Sequence, residues 1–274
     1  MPSKISTKFS SAERRAKQRR LFWVRLYIIV FFVLFFIFGL AILSGQSFWT
    51  IKTYIIEGNK TISTSRILEI TNENTKGRYL ALFARNNFLI YPREKIEQAI
   101  EKEFKTIKTI EVSWQAWQVV SINIVERKPY AVWCGESFNT DQACYFIDHS
   151  SFVFDQAPNF SGPIYLKFFG QVSEEGFYLK DEFGLLNSLI KKLSDINIEV
   201  RAAAFDGHDF TFYLSSGVKI IFNDRNGGIV KNFDNLFLAL NSGNLDLHKN
   251  IESLDYVDLR FESRVVVGKR AGTK

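Results

Sequence analysis

Residues 26–43 read Leu-Tyr-Ile-Ile-Val-Phe-Phe-Val-Leu-Phe-Phe-Ile-Phe-Gly-Leu-Ala-Ile-Leu, eighteen positions without a charge. Wound as a helix at 1.5 Å per residue, the run spans roughly 27 Å, about one bilayer hydrocarbon core. Fifteen of the eighteen side chains are Leu, Ile, Val or Phe. Their insertion gains on the order of 5–9 kcal/mol, an upper bound because end positions contribute less. Trp23 and Tyr27 at one end and Trp49 past the other fit interfacial anchors, and Arg25 can snorkel toward headgroups. A cleaved signal peptide is the competing reading. Its apolar core is shorter, about 7–15 residues, and closes on a small-residue motif that Leu43-Ser44-Gly45-Gln46 matches poorly. The expectation is an uncleaved transmembrane helix over 26–45.

The charge distribution orients this helix. The 274-residue chain carries a formal +6, from 35 basic and 29 acidic groups. Residues 1–25 hold eight basic side chains (Lys4, Lys8, Arg14, Arg15, Lys17, Arg19, Arg20, Arg25) against Glu13, a net +7. Subtraction leaves 27 basic and 28 acidic groups beyond residue 25, or −1. A neutral body offers no broad electrostatic footprint for phosphate backbones, which argues against nucleic acid as its partner. The basic flank precedes the apolar run, so residues 1–25 are placed in the cytoplasm and the body outside. The tail itself reads as a topogenic, lipid-facing basic segment.

Past the helix, residues 50–130 follow a β-α-α-β-β order. Ile51–Ile56 forms a short strand closed by a Gly58-Asn59 turn. Ser63 or Ser65 caps a helix carrying Ile67, Leu68 and Ile70, and Pro92 fits the first turn of a second. In that second helix Ile96, Ile100 and Phe104 recur every four residues. Glu111–Trp114 and Val119–Val125 make two strands around a tight Gln115-Ala116 connection, the second alternating with period two. A small sheet with two helices on one face accounts for this. From 130 onward, short apolar runs appear at 130–134, 144–154, 164–168, 198–204, 210–214, 218–222 and 255–267, with helices near 181–193 and 229–240. The fold class is therefore α+β: an N-terminal helix, a small domain over 46–129, and a mostly antiparallel β domain with flanking helices over 130–274.

Four stretches in this order carry a resemblance. Tyr54-Ile55-Ile56-Glu57-Gly58-Asn59, Ile124-Val125-Glu126-Arg127-Lys128-Pro129-Tyr130-Ala131, Phe146-Ile147-Asp148 with Phe152-Val153-Phe154, and Tyr256-Val257-Asp258-Leu259-Arg260-Phe261 lie behind the anchor. Together they resemble the bacterial cell-division family FtsQ, called DivIB in some bacteria. The resemblance covers nearly the whole chain and implies that residues 46–129 form a POTRA (polypeptide-transport-associated) domain. It also implies a non-enzymatic divisome scaffold in the plasma (inner) membrane at the division septum. Its implied partners are FtsB-like and FtsL-like single-pass proteins, with no cofactor, no metal and no catalytic residue. The contact would lie on the last strand, at Arg260, Phe261, Ser263, Val265, Val267 and Gly268. An edge strand has unpaired N–H and C=O groups that an incoming strand can meet. Phe261 would be the aromatic anchor and Gly268 the point of close approach. Lys269 and Arg264 depart from the family pattern, adding positive charge that suits an acidic partner or blunts the edge.

Other readings stand beside this one. Phe261 on an alternating strand fits the core as well as an interface, and Glu126-Arg127-x-Pro129 fits an ion pair with a strand exit. Cys134 and Cys144, with nine residues between them, fit either a disulfide worth about 2–3 kcal/mol or two free thiols. With no His nearby they make a poor zinc site. His149, His208 and His248 sit in unrelated contexts, and no nucleophile elbow, HExxH or P-loop occurs. Asn223–Gly228 lacks the alternating acids of a calcium loop and reads as a turn or helix entry. The alternative functions are a POTRA-bearing polypeptide-transport module, which predicts several POTRA copies or a downstream barrel, and a membrane-anchored cell-wall hydrolase, which predicts a cleft with two carboxylates or a metal.

Overall fold

The computed structural model describes residues 11–138, 142–225, 228–243, 245, 247, 253–261 and 264–270, without the side chains of 11–14 and 16. The chain divides into two compact units, residues 1–126 and 127–274. The first begins with helix α1 (Ser11–Ser44), whose stretch Lys17–Ser44 is long and apolar enough to cross a membrane. Its side chains are almost all exposed; Phe31, Phe35 and Phe36 are each more than 60% so. Only Ala41 and Ser44 near its end are buried, and a helix otherwise apolar and exposed on every side is not a core helix.

The rest of this unit is a three-stranded sheet ordered β1 (Thr53–Glu57), β5 (Val119–Glu126), β4 (Ile107–Ala116), with β1 parallel to β5. Helices α2 (Thr64–Thr75) and α3 (Arg93–Glu103) cover one face. Ile67, Ile70, Ile96 and Ile100 meet Val112, Val120, Ile122 and Ile124 in one core. The period-two run of β5 thus does what alternation requires, turning its apolar side inward. Gly58 sits at φ +85°, and a Cβ there would overlap the Ile124 carbonyl, so the turn after β1 needs glycine.

Two details differ from the sequence expectation. The β4–β5 connection is Trp117-Gln118, two residues later than Gln115-Ala116, because Gln118 takes the left-handed turn conformation at φ +61°. A small hairpin, β2 (Arg78–Tyr79) and β3 (Phe83–Ala84), fills the segment between the helices that the sequence left blank.

The second unit holds β6 (Ala131–Trp133), β7 (Tyr145–Ile147), β8 (Val153–Gln156), β9 (Lys167–Phe169), α4 (Phe183–Asp195), β10 (Val200–Phe205), β11 (Phe210–Leu214), β12 (Lys219–Phe222), α5 (Gly228–Asn241), β13 (Leu254–Phe261) and β14 (Arg264–Lys269). Its nine strands form one sheet in the order β14-β13-β12-β11-β10-β9-β6-β7-β8. Five of the eight neighbour pairings are antiparallel. Of the parallel ones, β9–β10 is bridged by α4 and β12–β13 by α5, because parallel neighbours need a crossover. Both helices land on the same face: Leu186, Leu189 and Leu193 of α4 and Phe233 and Leu236 of α5 share a core with Phe168, Phe212, Phe222 and Val257. Of the Asn223–Gly228 stretch, 226 and 227 lie outside the described residues, and Gly228 is the first residue of α5.

A disulfide joins Cys134, just after β6, to Cys144, just before β7, beside the smaller cluster of Val132, Phe169 and Ala202 on the other sheet face. Closing a step of ten residues restricts the unfolded chain by about 2–3 kcal/mol. The double variant Cys134→Ser/Cys144→Ser is expected to lose that much stability in urea titration of the detergent-solubilised chain. An unchanged midpoint would show that the bridge constrains nothing.

Candidate partner-binding edge

The sheet of the second unit ends at β14, whose outer side has no neighbouring strand among the described residues. The hairpin register pairs Tyr256 with Gly268, Val257 with Val267, Asp258 with Val266 and Phe261 with Arg264. Val265 packs partly onto the helical core. Val266 is 38% and Val267 40% exposed, two bare β-branched side chains on a sheet edge. Arg264 and Lys269 are exposed at the two ends of the strand, leaving Val265-Val266-Val267 uncharged between them. The opposite edge, β8, is shorter and carries exposed Asp155 and Gln156; the pairings of both edges contain register shifts. A short edge bearing an acid resists pairing, and a longer one with an apolar centre invites it.

The six residues expected on a single last strand are split between two. Val265, Val267 and Gly268 lie on the edge strand, whereas Arg260 and Phe261 end the strand inside it. Ser263 lies outside the described residues. The run 255–267 therefore folds back on itself, which the sequence did not signal because Phe261–Arg264 contains no Gly, Asn or Pro.

Arg260 is engaged within the chain. Its Nε and Nη2 donate to Asp258 Oδ1 and Oδ2 at 2.9 and 2.6 Å, and its Nη1 donates to Asp209 Oδ2 at 2.6 Å. Asp258 is buried, and burial alone would push its carboxyl up; the bonds from the Arg260 side chain and N–H outweigh this and hold it below the ordinary carboxylate range. The same bonds raise the guanidinium further. Arg260 is thus a clamp that fastens β13 to the loop before β11. Phe261, half exposed beyond the clamp, borders an open depression with His208 and Arg225. Gly268 has a reason within the chain as well: a Cβ there would overlap the ring of Tyr256, which lies across it from the paired strand.

The other singled-out residues resolve locally. Glu126 accepts the N–H groups of Lys60, Thr61 and Ile62 at 2.6, 2.9 and 3.3 Å, tying the end of β5 to the turn after β1. Arg127 donates to Asp148 at 2.6 Å and lies over the Phe152 ring at 3.9 Å. Asp148 also accepts the N–H of Ser150 and of Phe152, which shapes the β7–β8 turn. His149 stacks on Tyr130 at 4.2 Å and His208 neighbours Arg225, while His248 lies outside the described residues. Among the described residues no three His, Cys, Asp or Glu side chains gather as a metal set. Val266 and Tyr256 escaped the sequence reading; an aromatic paired with a glycine across strands would have pointed to both. In comparison with known proteins, the chain matches no family model and no curated sequence.

Arg260→Ala leaves the Asp258 carboxylate buried without its main partner, a loss on the order of 2–3 kcal/mol at neutral pH. Because the folded pKa of Asp258 is depressed, the stabilisation is present above the unfolded carboxylate pKa and is lost as pH falls through the folded one. The stability gap between native chain and variant should therefore be full at pH 7 and close in acid. A gap that widens in acid would refute the clamp.

Proposed function

We propose that this protein is a membrane-anchored, non-enzymatic scaffold that takes up a strand from a partner along β14, in the manner implied by its resemblance to the FtsQ/DivIB family. The single observation that carries the reading is the asymmetry of the nine-stranded sheet, with a short edge, β8, exposing Asp155 and Gln156 and a longer edge, β14, exposing Val266 and Val267. The six residues of β14 can pair with an extended segment of similar length, about 20 Å. Arg264 and Lys269 at its ends favour acidic residues flanking an apolar centre in that segment. Phe261 offers an aromatic contact at the near end.

An uncleaved, N-in anchor is part of the proposal. It is supported by the basic flank of α1 and by the bonds that Ser44, its last residue, makes to Ala84 and Asn87. A leader destined for removal has no need of such ties. A disulfide also suits a body in an oxidising compartment. The expected partners are small single-pass coiled-coil division proteins of the FtsB and FtsL kind, at the septum of the plasma membrane.

Photo-crosslinkers placed in living cells at Val266, Val267 and Phe261, with Asp155 on the opposite edge as control, test this reading. The first three should capture a small single-pass membrane protein and Asp155 should not. Capture from Asp155 alone, or none from β14 in a folded, localised protein, would overturn it. Phe261→Ala should weaken capture from Val267 several-fold while leaving thermal unfolding unchanged. Unfolding of that variant would return Phe261 to the core.

A further inference from the structure

The apolar helix ends against a structure that the proposed function does not use. Ser44 is buried; its Oγ accepts the Ala84 N–H at 3.1 Å and its carbonyl accepts Asn87 Nδ2 at 3.0 Å. The β2–β3 hairpin and the residues after it are thereby fixed where the chain leaves α1. Around that point the surface is apolar. Leu80 is 90% exposed, and Leu82, Leu89 and Ile90 are exposed beside it. A cleft between helix and hairpin is lined by Leu40, Leu43, Trp49, Phe83, Leu89 and Ile90. Leu40 lies about 6 Å back along α1 from Ser44, a full turn inside the apolar run.

The hairpin tip is unusual in its residues. Leu80 and Ala81 both take left-handed φ, +47° and +60°, and the turn closes with the Leu82 N–H on the Tyr79 carbonyl at 2.9 Å. That turn type is normally filled by Asn and Gly, which adopt it with least strain. A leucine here accepts backbone strain to present an apolar side chain outward. Beside it, Phe88 stacks with Trp49 and Trp114 at centroid distances of 5.9 and 6.2 Å and meets Trp117 at a tilt, 4.6 Å away. Trp114 and Trp117 are about half exposed. Gln118 Nε2 donates to the Phe48 carbonyl at 2.9 Å, holding the β4–β5 tip at the same level.

Water is a poor cover for so large an apolar patch, and its continuity with α1 decides what covers it. Residues bonded to the exit of a membrane-spanning helix stand at the bilayer surface. We infer that residues 79–90 dip into the extracytoplasmic leaflet, with Leu80, Leu82, Leu89 and Ile90 in its acyl region and Trp114 and Trp117 at headgroup depth. The first unit is then a membrane-resident body in its own right, held by helix and hairpin together. Aromatic rings prefer the headgroup level, and Arg78 and Arg85 at the base of the hairpin suit lipid phosphates. The inference rests on the proposal that α1 is a retained anchor.

The test uses the full chain in nanodiscs with its disulfide closed, carrying one nitroxide-labelled cysteine at Leu80, Leu89, Leu40 or Lys108. Lys108 is exposed on the strand of Trp114, about 20 Å along it from that residue. Accessibility to oxygen relative to a water-soluble nickel chelate reports immersion. The labels at 80 and 89 should show a ratio several-fold above that at 108, approaching that at 40. If 40 is immersed while 80 and 89 match 108, the hairpin stands clear of lipid, the inference falls and the anchor stands. If 40 is aqueous as well, both fall together.

Discussion

Exposed leucine, isoleucine and phenylalanine on every side of α1 set the condition that the rest of the molecule must meet. Apart from Ala41 and Ser44 near its end, that surface is left uncovered by the described residues of the first unit, and burying an apolar side chain is worth about 1.5–3 kcal/mol relative to leaving it in water. Hydrocarbon is the medium that resolves the imbalance. In the reading proposed here, everything after Ser44 is then built outward from a fixed exit point, beginning with the bonds of that serine to Ala84 and Asn87. On that reading the remaining chain can be neutral and rich in sheet, since the proposed N-in orientation rests on the basic tail alone.

Three acids hold the body together in ways that their sequence neighbours conceal. Glu126 faces back to the turn after β1, Asp148 gathers Arg127 and its own turn, and Asp258 binds Arg260. Each sits in a stretch that carries the family resemblance, and each has a structural task sufficient to account for its presence. The partner edge is different in kind. Val266 and Val267 pair through their backbones with Asp258 and Val257 but leave their side chains exposed, and among the described residues no strand lies outside β14. Residues that serve the fold and residues available to a partner are thus separated across one hairpin, with Arg260 on the inner strand and the valines on the outer.

Much of the architecture was legible because it rests on periodicity. The uncharged run at 26–43, the four-residue spacing of Ile96, Ile100 and Phe104, and the alternation of Val120, Ile122 and Ile124 each specify an element with little help from distant contacts. What stayed hidden depends on turns made without turn residues. Leu80-Ala81 and Phe261–Arg264 lack the glycine, asparagine or proline that marks a reversal, so one hairpin was missed and one was read as a single strand. The β4–β5 turn shifted by two for the same reason, since Gln118 takes a conformation usually left to glycine. The roles of Arg260 and Glu126 were hidden for another reason. Their partners, Asp209 and residues 60–62, are distant in sequence and meet them only through sheet pairing.

The parallel pairing of β1 with β5 has a bearing on the order of events during synthesis. Thr53 meets Val119, so the first strand of this unit waits for the last, across more than sixty residues. Helices α2 and α3 and strand β4 can form locally in the interval, but their apolar faces have no completed sheet to rest on. The bonds from Glu126 to Lys60 and Thr61 then arrive with the final residue of the unit, fastening a loop whose two ends are the earliest and latest parts of the fold. Closure is therefore late and all at once. A nascent chain halted anywhere before residue 119 would leave β1 bare, recognisable to quality-control factors as unfinished.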